Sequence, residues 1–246
     1  MPLIAVPFHL GLRGEAVGAG PLAILEGLNL PFTLIEAKPN VAAVNAALAQ
    51  AVASHLPAVI LAGNCNSCLG TLAAFDQPPG IVWFDAHGDF NTPETTVSGA
   101  LEGMSLAIAT GHCHPELMAK PVPEENVLLA ATRDFDALEE VRLRASKIQI
   151  VSLDAFGDAL GCLAARVENI YLHLDLDVLD PQISPGVNFS APGGISAEQL
   201  FEAVRRVAAT GKLAAAAITN FNPARDVEHK TLHIARTLVA ILIPAS

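Results

Sequence analysis

The chain of 246 residues is 52% hydrophobic and only 16% charged, with a net charge of −11. That composition supports a large core, excludes a disordered chain, and argues against nucleic acid or an anionic membrane as partner while suiting metal cations. No apolar run reaches the ~18 residues of a membrane span, and MPLIAVPFHLGLRG lacks a basic leader with a cleavage site, so a cytoplasmic protein is expected.

Short β-branched runs predict strands near 3–6 and 32–36, followed by a helix in VAAVNAALAQAVASHL. A strand near 58–62 ends in Gly63-Asn-Cys-Asn66, and one near 81–85 ends in Asp85-Ala-His-Gly-Asp89. The strand near 127–131 runs into Arg133-Asp-Phe-Asp136 and the helical pattern DALEEVRLRAS. After a strand near 148–152, the strand near 170–176 closes on Asp175-Leu-Asp177. SAEQLFEAVRRVAATG reads as a helix started by Ser196 with Gln199 and stopped by Gly211. A last strand near 213–219 ends in Asn220.

Continuous apolar strands alternating with helices indicate a parallel sheet covered on both faces. No linker or repeat interrupts the alternation. The expectation is one α/β domain over 1–246, a three-layer doubly wound fold with an eight-stranded parallel sheet flanked by helices. In such sheets ligands bind beyond the carboxyl ends of the strands, and the polar clusters all fall on that rim.

Asp85, His87, Asp89, Asp175 and Asp177 bring four carboxylates and one imidazole to the rim. Crowded carboxylates raise one another's pKa values, and divalent cations relieve them. An oxygen-rich set with one imidazole suits Mn²⁺, with Fe²⁺, Ni²⁺ or Co²⁺ as substitutes. Each motif alone also reads as turn chemistry, since Asp commonly ends strands and starts helices; two on one rim favour a site. The four cysteines, Cys65, Cys68, Cys113 and Cys162, suit a reducing compartment. Cys65 and Cys68 with His112 and His114 have the form of a zinc site without its second clean pair, so small buried thiols are the preferred reading.

DAHGDFNTPET and HLDLDVLDP resemble the two signature metal motifs of the ureohydrolases, the arginase and agmatinase family. The resemblance extends through SAPGGIS and TNFNPARD and so covers most of the chain in order. It implies an eight-stranded parallel sheet and a hydrolase in which manganese-activated water attacks a guanidinium or amidine carbon. It further implies two Mn²⁺ ions bridged by Asp85 and Asp175, with His87 and Asp177 completing one and Asp89 the other. Asn91, Thr96 and Ser98 match the segment that binds a substrate α-carboxylate in the arginase branch, and Asp136 the acid that reaches the α-amino group. The implied partner is a small guanidino or amidino amino acid, and family members commonly form trimers or hexamers, so a homo-oligomer is implied.

Three positions depart from the family. Its GGDHS motif reads Gly63-Asn-Cys-Asn-Ser67, which puts Asn66 in place of a metal-binding histidine and makes that metal the weaker one. Glu102 in LEGM replaces the catalytic histidine and is, with Asp89, the expected catalytic pair. Asn220 in TNFNP replaces the glutamate that pairs with guanidinium. An uncharged amide there suits a less basic head, such as N-hydroxyguanidine. The competing class is a non-catalytic relative that binds a metal or ligand.

Overall fold

The computed structural model describes residues 1–9, 12–36 and 38–243. Eight parallel strands form the sheet: β1 (Leu3–Val6), β2 (Phe32–Leu34), β3 (Ala58–Ala62), β4 (Gly80–Phe84), β5 (Val127–Ala130), β6 (Gln149–Val151), β7 (Ile170–Asp175) and β8 (Leu213–Thr219). Their spatial order is β2-β1-β3-β8-β7-β4-β5-β6, the doubly wound sheet expected. A two-stranded antiparallel ribbon, Phe8–His9 with Leu12–Arg13, follows β1 and has no counterpart in the predicted strands. Its strands of two residues are too short for any period to register.

Alternation along the strands divides the core. Leu3, Val59, Leu61, Val82, Phe84, Leu172 and Ile218 face helices α1 (Gly20–Leu25), α6 (Leu153–Arg166), α7 (Ala197–Ala209) and α8 (Lys230–Leu242). Ile4, Ile60, Ile81, Trp83, Leu129 and Tyr171 face α2 (Val41–Ala53), α3 (Ser67–Ala73), α4 (Ser105–Ala109) and α5 (Ala137–Ala145). Successive strand residues point to opposite faces, so a run apolar at every position fills both layers. Full burial of each large side chain is worth ~1.5–3 kcal/mol.

The helix signals act where the sequence places them. Asn40 caps α2 through Oδ1, which accepts from Ala43 N at 2.9 Å. Ser196 Oγ accepts from Gln199 N while Gln199 Oε1 accepts from Ser196 N, a reciprocal box that starts α7. Gly211 ends that helix at φ +69°, a conformation open to glycine without strain. No helix among the described residues is long and apolar enough to cross a membrane.

The register positions the site. Phe84 pairs with Leu174 and Ala130, Thr219 with Asp175, and Ile218 with Leu61. The carboxyl ends of β3, β8, β7, β4 and β5 therefore stop level with one another, and Asp85 falls beside Asp175. One step earlier in the same register, Trp83 stacks on His173 with ring centroids 3.6 Å apart.

Candidate metal centre and active site

A cavity of about 410 Å³ opens above these strand ends. Of the expected site residues, Asp85, His87, Asp89, Asn91, Ser98, Glu102, Asp136, Asp175, Asp177 and Asn220 line it. Thr96 and Asn66 do not. The Thr96 hydroxyl sits 3.4 Å from Ser98 Oγ and accepts from Gly99 N, so it shapes the loop beside the cavity. Asn66 turns its amide away, donating to Leu101 O at 3.0 Å and Ser105 Oγ at 2.9 Å.

Asp85, Asp89, Asp175 and Asp177 are all buried, and Asp85 and Asp175 each split their two oxygens between different partners. Asp85 Oδ1 accepts from His87 N and faces His87 Nδ1 at 3.3 Å, whereas Oδ2 accepts from Trp83 Nε1 and lies 3.8 Å from Cys65 Sγ. Asp175 Oδ1 accepts from Asp177 N and Asn220 Nδ2; its Oδ2 accepts from Thr219 Oγ1 and from Cys65 Sγ at 3.2 Å. His87 Nδ1 is 3.1 Å from Asp177 Oδ2. Two groups of donor atoms result, each within 4.8 Å: Asp85, His87 and Asp177 in one, and Cys65, Asp85, His173 and Asp175 in the other.

Several elements hold these donors. Gly88 separates His87 from Asp89 because a Cβ there would stand 2.7 Å from Glu139 Oε1. That glutamate, buried on α5, accepts from Phe90 N at 2.7 Å and Asp136 N at 3.1 Å, tying the first motif to the second acidic loop. Arg133 donates to the carbonyls of Asp177, Val178, Ala191 and Pro192, fixing the backbone that presents Asp177. Asp89, Phe189 and Asn220, all lining the cavity, adopt left-handed backbone at φ +48°, +40° and +68°. Such conformations cost non-glycine residues ~1–3 kcal/mol and persist only where surrounding contacts impose them.

Eight acidic residues line the cavity against two histidines, and no lysine or arginine joins them among the described residues. Burial and the Asp177 charge push Asp175 up to about 7, and burial with the Asp85 charge pushes Asp177 up to about 6. Burial raises Asp85 and Asp89 as well. Burial opposes a charge on His87, but its hydrogen bonds to Asp177 and Asp85 outweigh that and take it up to about 12. Asp89 Oδ2 is buried without a partner. A concentrated negative charge with an orphaned carboxylate oxygen fits divalent cations.

A pH test follows. A carboxylate raised in the folded state contributes stability below its ordinary value of 3.8 that is lost as pH rises through its folded value, about 7 for Asp175. Metal-stripped protein should therefore lose melting temperature between about pH 4 and about pH 7, and added Mn²⁺ should restore more of it at the upper end, because ligands bind deprotonated. Calorimetry measures both; a metal increment independent of pH would contradict the assignment.

The cysteines do not form the zinc arrangement. Cys68 Sγ donates to Ser105 O, His112 pairs with Glu124 and Arg142, and His114 with Glu116. Cys65 and Cys68 are the buried thiols expected, but Cys162 is exposed on α6 and Cys113 half-buried. Residues that sequence reasoning passed over include Cys65, Glu139 and Asp134, whose Oδ2 is 3.8 Å from His87 Nε2. Asp134 had a signal, being in the rim cluster Arg133-Asp-Phe-Asp136. Glu139 had one too, since Asp136-x-x-Glu139 has the spacing of a capping box that returns its carboxylate to Asp136 N.

Comparison with known proteins identifies the family and the fold. The model of the arginase family matches residues 11–243. The arginase of Bacillus caldovelox is 32% identical over 214 residues, spanning 80% of this chain and 72% of that protein. The crystal structure of arginase from Bacillus subtilis matches with a TM-score of 0.86 at 29% identity, covering 100% of this chain and 98% of that one. Entamoeba histolytica arginase, crystallised with L-ornithine, shares the fold at a TM-score of 0.90 and 23% identity, over 99% and 98% of the two chains. By sequence and by fold, the chain belongs to the arginase family.

Proposed function

We propose that the protein is a manganese-dependent hydrolase cleaving a C–N bond of a guanidino- or amidino-type amino acid, with N-hydroxyarginine preferred over arginine. The observation that carries the preference is the setting of Asn220. Its Nδ2 donates to Asp175 Oδ1 at 2.8 Å and Asp177 Oδ2 at 3.0 Å, while its Oδ1 accepts from Asn188 N at 3.0 Å. The partners dictate the amide's orientation: two carboxylates must receive donors and a backbone N–H must meet an acceptor. No charged acceptor is left at this position for a fully protonated guanidinium. A head carrying a hydroxyl, and less basic, fits better.

The split oxygens of Asp85 and Asp175 support their assignment as ligands shared by two ions, with His87 and Asp177 at one and Asp89 at the other. The resemblance assigns Asn66 to that second ion. Ions held there would neutralise the carboxylates and supply a nucleophilic water at neutral pH. Glu102 Oε2 is buried at the cavity wall without a partner, which suits a proton carrier between water and leaving group. Asp136, already accepting from Asn91 Nδ2 at 2.9 Å, is placed for an α-ammonium, and Asn91 and Ser98, with Thr96 behind them, for an α-carboxylate. A cytoplasmic homo-oligomer completes the reading, and free thiols accord with a reducing compartment.

Substrate class is testable directly. An α-amino acid should be hydrolysed far better than its decarboxylated analogue, because each lost hydrogen bond to a charged group costs ~1.5–3 kcal/mol. Release of urea and hydroxyurea from purified protein with saturating Mn²⁺ measures this for arginine, N-hydroxyarginine and agmatine. Agmatine turned over faster than every amino acid would refute the reading.

A further inference from the structure

The loop between β3 and α3 presents two adjacent side chains, and they go in different directions. Gly63 lets the chain leave the sheet, since a Cβ there would meet Phe8 O at 2.1 Å. Cys65 then drops into the cavity, its Sγ 3.2 Å from Asp175 Oδ2 and 3.8 Å from Asp85 Oδ2. Asp89, whose Oδ2 is buried without a partner, lines the same cavity. Asn66 instead spends both amide hydrogens on Leu101 and Ser105 and borders a separate small cavity with Val6, Phe8, Val44 and Asn45. Its Oδ1 has no partner, but turning it toward Asp175 would break both of those hydrogen bonds, the one to Ser105 fully buried. His173, the remaining candidate, has both ring nitrogens engaged, Nδ1 by the Tyr171 hydroxyl at 2.8 Å and Nε2 by Thr219 Oγ1 at 3.5 Å.

We propose that the Cys65 thiolate, not the Asn66 amide, fills the ligand position where the family has histidine, alongside Asp85, Asp89 and Asp175. The proposal rests on the two-metal reading above and changes its chemistry. A thiolate is soft and favours Zn²⁺, Fe²⁺ or Co²⁺ over Mn²⁺, whereas the site of Asp85, His87, Asp175 and Asp177 keeps hard donors. The chain thus has two unlike metal sites, with the thiolate site tolerant of softer ions.

Cobalt distinguishes the alternatives without reference to turnover. Metal-stripped protein is titrated with Co²⁺, reading bound metal and the sulfur-to-cobalt charge-transfer absorption in the near ultraviolet. The wild type should bind two ions and show the band; Asn66→Ala should keep it; Cys65→Ser should lose it and bind one ion at least ~10-fold more weakly. A ¹¹³Cd spectrum of the wild type gives the same answer with no substitution, through a resonance shifted by a sulfur ligand. Two bound ions with no band, a band surviving Cys65→Ser, or cadmium resonances in the oxygen and nitrogen range only would each overturn the Cys65 assignment while leaving two metals in place. Failure to bind any ion would remove the two-metal reading itself.

Discussion

Replacing Asp175 by Asn should strip the protein of most of its bound metal and lower turnover by more than the ~10–100-fold that follows loss of an outer partner of a ligand. The substitution preserves shape but removes a buried carboxylate of one donor group that is also hydrogen-bonded to Asp177 N of the other. It also reverses half of the local hydrogen bonding. Asp175 accepts from Asp177 N, Asn220 Nδ2, Thr219 Oγ1 and Cys65 Sγ, so an amide NH₂ at either oxygen would face donors. The fold should survive. With Asp175 pushed up to about 7, its charge is unfavourable above that pH in metal-free protein, so removing it offsets part of the cost of the mismatched donors, and the stripped variant should fall less far below the stripped parent there than at lower pH. Metal analysis, thermal denaturation and urea or hydroxyurea release provide the three readouts. Equal metal and equal turnover would take the cluster out of the chemistry and favour a non-catalytic relative.

Asn220→Glu should move preference from N-hydroxyarginine towards arginine, by ~10-fold in the ratio of kcat/KM if the charge-assisted bond is about twice as strong as the neutral one. The geometry adds a second consequence. A glutamate would take away the two donors that Asn220 gives to Asp175 and Asp177, and would set another carboxylate beside them. Only the contact from Asn188 N would remain. The variant should therefore depend on metal more than the parent does, melting lower when stripped and closer to it when loaded. Competition between the two substrates in one assay checks the first part, and calorimetry with and without Mn²⁺ the second. An unchanged substrate ratio in a fully loaded variant would show that Asn220 does not read the head group.

The sheet and its rim were legible because two simple signals coincided. Apolar runs ending abruptly at Asp85, Asp175 and Asn220 mark strand ends, and parallel pairing brings such ends level, as Phe84 with Leu174 and Thr219 with Asp175. The irregular segments were harder. Between β3 and α3 no period sets side-chain direction, so nothing in Gly63-Asn-Cys-Asn66 revealed that Cys65 faces the carboxylates and Asn66 the loop before α4. Glu139 lies on a helix whose charges suggest a solvated face, yet it is 3% exposed because two backbone N–H groups need its oxygens. Thr96 belongs to the segment the resemblance identifies, but its hydroxyl is spent on the loop's own backbone.

The left-handed backbone at Asp89, Phe189 and Asn220 sets the site and the stability of the whole molecule at odds. Each of these positions would be conformationally easier for glycine, at which point the side chain that lines the cavity would be gone. Selection for heat resistance alone would favour such exchanges, and selection for function would reverse them. A thermostable descendant of this chain that stays functional must therefore gain its margin elsewhere, in the helical layers and surface loops, and leave these three residues as they are.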